Sequence, residues 1–131
     1  MVRRVLCFLV ILWSAAMLAS CKKGAGEGGT SSIKGKVYVK NYNGSGVLQG
    51  EYYGAEERVY IIYGDADFYG NDTRTSFDGT YEFDFLKKGS YTVFAYSDCD
   101  TCSSGTEPVI MTAEITDNHS TLILPDIIVK R

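Results

Sequence analysis

The sequence predicts an all-β protein, a seven-stranded antiparallel β-sandwich, on three observations. Apolar residues alternate with polar ones along short runs, the period of a half-buried strand. Turn-forming residues punctuate those runs at regular intervals. No stretch carries the 3.6-residue apolar period of an amphipathic helix. Short strands at even spacing, joined by such turns, bury their apolar faces against one another as two packed sheets.

The first strand begins at Ile33, where Ile33, Gly35, Val37 and Val39 share one face and Lys34, Lys36, Tyr38 and Lys40 the other. Residues 41–55, rich in Gly, Asn and Tyr, read as a long loop or a loosely paired hairpin. Arg58–Tyr63 and Thr73–Phe77 follow as strands, separated by Gly70-Asn71-Asp72. Asp78-Gly79 is a hairpin turn into Thr80–Phe85, with Tyr81, Phe83 and Phe85 expected inside and Glu82 and Asp84 outside. Lys88-Gly89 leads into Tyr91–Ser97, and Val109–Ile115 precedes the Asp117-Asn118 turn. The last run, Thr121–Val129, contains Pro125, which cannot donate to a ladder and therefore belongs at a sheet edge or a bulge.

The segment Thr75-Ser76-Phe77-Asp78-Gly79-Thr80-Tyr81-Glu82-Phe83, followed by Leu86 and Gly89-Ser90-Tyr91-Thr92-Val93, resembles the signature of transthyretin-like sandwich modules. That group includes carboxypeptidase regulatory-like domains and collagen-adhesin B-type repeats. Ile33-x-Gly35-x-Val37 matches the group's usual first strand, so the resemblance spans about residues 33–129. It implies a prealbumin-like topology and no particular activity, because such folds host unrelated tasks. Members that form an isopeptide bond join a first-strand Lys to a last-strand Asn. Here Lys34 and Lys36 face away from the apolar side and Thr121–Arg131 contains no Asn, so that bond is not expected.

The N-terminus carries an address. Arg3 and Arg4 precede an apolar run from Val5 to Leu18, and small residues follow, as in a secretory signal. The run is shorter than the ~20 apolar residues of a membrane span. Leu18-Ala19-Ser20-Cys21 resembles the bacterial lipobox, which implies cleavage after residue 20 and a diacylglycerol-bearing, acylated Cys21. Several acyl chains anchor stably where one holds only marginally. The expected organisation is thus a signal peptide at 1–20, a lipidated Cys21 with a flexible Gly/Ser tether over 21–32, and a sandwich domain at 33–131. Lys22-Lys23 lacks the acidic signal that retains such lipoproteins at the inner membrane, so the expected location is the outer membrane. Lys22-Lys23-Gly24-Ala25-Gly26-Glu27 loosely resembles the surface-export tag of some Bacteroidota-type lipoproteins, a Lys followed by acidic residues, and the leaflet is left open.

Composition narrows the function further. The chain of 131 residues has a net charge of −3, and removal of the signal takes away two basic residues more, leaving no basic stripe for nucleic acid. Trp13, the one Trp, leaves with the signal, so any aromatic platform must be built mainly from the ten Tyr. Tyr42, Tyr52, Tyr53, Tyr60 and Tyr69 are the candidates for an exposed patch facing a glycan or an envelope protein.

Cys99-Asp100-Thr101-Cys102 has the spacing of a redox motif or half a zinc site. Zinc wants four ligands, and His119 is the one His. A redox thiolate needs nearby positive charge, which Asp98 and Asp100 oppose. A local disulfide closing the turn is the expectation in an oxidising compartment, with a thiol–disulfide factor as the enzymatic alternative. Asp65, Asp67 and Asp72 are the calcium candidates, weighed against a solvated turn, since the run lacks the EF-hand register. No P-loop, GxSxG or HExxH is present, and His119 lies in a polar turn without a nucleophile motif. The expected function is a non-catalytic, lipid-anchored binding or accessory module of the envelope without a resident cofactor, with glycan or calcium binding as the alternative.

Overall fold

A computed structural model describes residues 24–131; the segment expected to be a signal peptide and Cys21 lie outside the described residues. Among the described residues nine strands build two packed sheets: β1 (Glu27–Tyr42), β2 (Leu48–Tyr53), β3 (Arg58–Tyr63), β4 (Asn71–Arg74), β5 (Thr80–Leu86), β6 (Gly89–Asp98), β7 (Thr106–Ile115), β8 (Thr121–Ile123) and β9 (Ile127–Lys130). The all-β sandwich expected from the alternating pattern is present, with nine strands in place of seven.

β1 organises the first sheet. Along one side it pairs antiparallel with β5 and then β2, which meet end to end where the Val37 N–H donates to Gly79 and its carbonyl accepts from Gly54. Along the other side it pairs with β8 and β9, and both are parallel to it. The purely antiparallel expectation is therefore corrected. The run 121–129 is split at Pro125 into two short edge strands, because a residue without an N–H interrupts the ladder. The second sheet is antiparallel in the order β4-β3-β6-β7.

Between the sheets lie Ile33, Val37 and Val39 of β1, Tyr81, Phe83 and Leu86 of β5, and Ile127 and Val129 of β9. They meet Val59, Ile61, Tyr91, Val93, Ala95, Ala113 and Ile115 of the second sheet. Burial of each large aliphatic or aromatic side chain here contributes about 1.5–3 kcal/mol. Gly35 is required by this packing, because a Cβ there would overlap the Tyr81 hydroxyl.

Three local differences from the sequence pattern have physical causes. Phe85 is 72% exposed, and Leu86 takes its place in the core. Phe85 has a φ of 57°, and Leu86 faces both Glu27 and Ser31 across a bulge, so the alternation of β5 slips by one residue. Thr73–Phe77 ends as a strand at Arg74, and Phe77 is 90% exposed in the following turn. That turn is held by the Ser76 hydroxyl and the Thr80 N–H, which donate to Asp78 and keep its carboxyl down at about 2. Of the two arrangements expected over residues 41–55, a long loop or a hairpin, the structure has the hairpin, β2 pairing with the end of β1 past a bulge at Asn41/Tyr42.

The third difference concerns the tether. The first strand starts at Glu27, so the fold begins inside the segment expected to be flexible, and Ser31 and Ser32 are buried. Ser31 donates to the Asp117 carbonyl at 2.8 Å. The Tyr91 hydroxyl accepts from the Gly26 N–H at 3.0 Å and lies 2.6 Å from the Lys87 carbonyl, to which it donates. Gly29 permits this path, since a Cβ there would overlap the Leu86 carbonyl.

Candidate functional site

Antiparallel pairing places residues directly opposite one another on the same face of a sheet. On the outer face of the second sheet, Asp72 of β4, Tyr60 of β3, Phe94 of β6 and Ile110 of β7 form one continuous row. Beside it, Arg58 faces Arg74 and Tyr96 faces Pro108. The β3–β4 loop adds Tyr69, whose ring meets that of Tyr60 edge-on at 4.9 Å.

The rings hold one another in place. Tyr60 and Phe94 stack at 5.0 Å and 14°. Tyr96 approaches Tyr60 at 5.7 Å and Phe94 at 5.5 Å, both edge to face. Such pairs add about 0.5–1.5 kcal/mol each beyond the area they bury. Phe94 is covered by its neighbours, whereas Tyr69, Tyr96 and Ile110 remain 52%, 43% and 56% exposed. The result is a pre-formed aromatic platform with a polar border, where Arg58 Nε lies 3.5 Å from Asp72.

The structure therefore divides the tyrosines singled out in the sequence. Tyr60 and Tyr69 belong to the platform. Tyr53 lies on the first sheet, where its ring meets Tyr38 at 5.2 Å and lies under Lys36 at 4.7 Å. Its hydroxyl donates to Asp126 at 3.0 Å, and that partner raises its pKa. Tyr52 is half-exposed on β2. Tyr42 lines a separate cleft of about 490 Å³ with Asn43, Asp98, Asp100, Lys130 and Arg131. Arg131 is engaged there by Glu57 and by Asp98 at 3.8 Å.

Phe94, Tyr96 and Ile110 are the platform residues that sequence reasoning missed. Tyr91–Ser97 alternates so that Tyr91, Val93 and Ala95 face the core, which leaves Phe94 and Tyr96 on the outer side. Two aromatic residues on a strand's outer face were the available signal.

Cys99 and Cys102 form a disulfide in the β6–β7 turn, as expected. The turn is further closed by the Cys99 N–H donating to the Gly105 carbonyl at 2.9 Å. Glu107 lies beside this pair, and the three are the one group of potential metal ligands within 4.8 Å among the described residues. Asp65 and Asp67 project from the β3–β4 loop, while Asp72 faces the platform and pairs with Arg58, so the structure does not gather the three carboxylates into such a group. His119 is exposed in the β7–β8 turn with a φ of 53°, beside a cleft lined by Thr30, Lys87, Lys88 and Asn118.

No protein family and no characterised protein matches the sequence. Among solved structures, the chain is similar to a crystal structure from Pseudomonas aeruginosa described as a candidate carbohydrate-binding protein. The identity is 17% and the TM-score 0.48, over 82% of this chain and 92% of that one.

Proposed function

We propose that the protein is a non-catalytic binding module of the bacterial envelope, anchored by lipid on Cys21, whose ligand face is the outer face of the second sheet. The single observation that carries this reading is the mutually braced platform of Tyr60, Tyr69, Phe94 and Tyr96, with Tyr69 and Tyr96 exposed. Rings already held by their neighbours lose little freedom on binding, which favours association. A platform with exposed tyrosines at its margin is suited to excluding water from a partner. The anchor reading rests on Leu18-Ala19-Ser20-Cys21.

A glycan is the second reading, favoured by the polar border of this face. The apolar side of a sugar ring stacks on tyrosine, and its hydroxyls would meet the Asp72 carboxylate and the Arg58 guanidinium. The test is in-cell crosslinking of the full-length lipoprotein, compared with the Tyr69→Ala/Tyr96→Ala and Tyr52→Ala/Tyr53→Ala variants and with Cys21→Ala. The expected result is an adduct that Cys21→Ala and Tyr69→Ala/Tyr96→Ala lose and Tyr52→Ala/Tyr53→Ala retains. Loss in the Tyr52→Ala/Tyr53→Ala variant alone would move the ligand face to the first sheet. Retention of glycan on an array after Tyr69→Ala/Tyr96→Ala would remove the second reading.

A further inference from the structure

We infer that the pole at which the chain enters the domain docks on the bilayer surface that holds Cys21, with Phe68 and Phe85 as its interfacial contacts. The inference rests on the lipid anchor of the proposed function. Covalent geometry carries the first half of the argument. Gly26 is fixed in the fold, its N–H donating to the Tyr91 hydroxyl at 3.0 Å and its carbonyl accepting from the Lys87 N–H at 2.9 Å. From Cys21 to Gly26 a fully extended chain spans at most about 17 Å. An acylated Cys21 lies at the level of the lipid glycerols, so the domain stands against the headgroups with this pole towards them.

The exposed side chains at that pole supply the second half. The chain enters between Gly64, which opens the β3–β4 loop, and Gly89, which follows the β5–β6 turn. Both lie beside Ala25. The loop carries Phe68, 82% exposed, and the turn is preceded by Phe85, 72% exposed. These are two of the three most exposed aromatic side chains described, and they flank the point of attachment to a membrane. Phenylalanine on a tethered surface gains by entering the headgroup–acyl boundary.

Charge modulates this contact without driving it. Lys87 and Lys88 favour anionic headgroups, as do Lys22 and Lys23 in the connecting segment. Asp65, Asp67, Asp84 and Asp117 occupy the same end and oppose them. The platform extends away from this pole, from Tyr69 near the membrane to Tyr96 and Pro108, so the docked domain presents its ligand face sideways.

The test uses full-length protein purified from membranes, with acylation read by intact mass, and reconstituted in phosphatidylethanolamine/phosphatidylglycerol vesicles. Phe68→Cys and Phe85→Cys, and separately Val47→Cys and Phe77→Cys in other turns, are labelled with a fluorophore and challenged with brominated lipid. The expected result is quenching at 68 and 85 at least about twofold greater than at 47 and 77. Equal quenching at all four positions of an acylated chain would overturn the docking and leave the anchor standing. Solvent protection at 68 and 85 without lipid quenching would assign the pole to a protein contact and overturn it as well. An unacylated chain that fails to sediment with the vesicles would remove the anchor and the docking together.

Discussion

Tyr81 shows how a single residue can be well placed by its ring and poorly placed by its hydroxyl. The side chain is 1% exposed, and its hydroxyl has no hydrogen-bond partner among the described residues. A buried donor left unsatisfied costs about 1–3 kcal/mol. Burial also pushes the phenol up from 10.0 to about 12. The sign follows: the fold favours the protonated form, so Tyr81 is neutral to stability below about pH 10 and weakens the fold as pH rises towards about 12. Tyr81→Phe is therefore expected to keep or raise stability at neutral pH, and to decline less steeply in alkali than the parent. Urea unfolding at both pH values checks this, and a loss above about 1 kcal/mol at neutral pH would reveal a hidden partner for the hydroxyl. The alternation in Thr80–Phe85 made Tyr81 and Phe83 legible as core in the sequence. Phe85 was not legible, because a bulge with positive φ depends on how β5 leaves β1 and has no signature in β5 itself.

At the scale of elements, strand interiors were readable and strand ends were not. Ile33–Val39 and Arg58–Tyr63 carry apolar alternation and lie as expected. Glu27–Ser32 carries almost no apolar residue, so nothing in its pattern marks a strand. It is ordered by partners distant in sequence: Tyr91 holds Gly26, while Tyr63 and Asn71 both donate to Glu27 at 3.0 and 2.9 Å. Burial and that bond to Glu27 push the Tyr63 phenol up to about 12. Tyr91→Phe is accordingly expected to cost about 1–2 kcal/mol and to speed amide exchange at residues 26–28 more than in β3 or β6. Uniform acceleration along the chain would mean that the hydroxyl supports only global packing. The parallel docking of β8 and β9 was equally hidden, since strand direction relative to a partner leaves no mark on a short run.

For the whole molecule, the two sheets divide their labour. The outer face of the first sheet carries Lys34–Glu82, Lys36–Asp78 and Lys40–Glu51 pairs at 3.5–3.8 Å around a single ring pair, Tyr38 and Tyr53, with Ile128 and Ile123 exposed beside them. Pairs of this kind contribute little to stability and keep a face hydrated. The second sheet groups four mutually braced rings on its outer face, with Tyr69 and Tyr96 exposed at the margin, and the proposed ligand face rests on that larger cluster. Of this group only Tyr60 and Tyr69 were legible as candidates in the sequence, because Tyr60, Tyr69, Phe94 and Tyr96 come from two strands and a loop and meet only once β3 pairs with β6. The most direct measurement is hydroxyl-radical footprinting of the full-length protein in intact cells against the purified protein. The account predicts that Tyr69 and Tyr96 are protected in cells while Tyr52 and Tyr53 on the first sheet react equally in both states. Equal reactivity of Tyr69 and Tyr96 in cells and in isolation would contradict it.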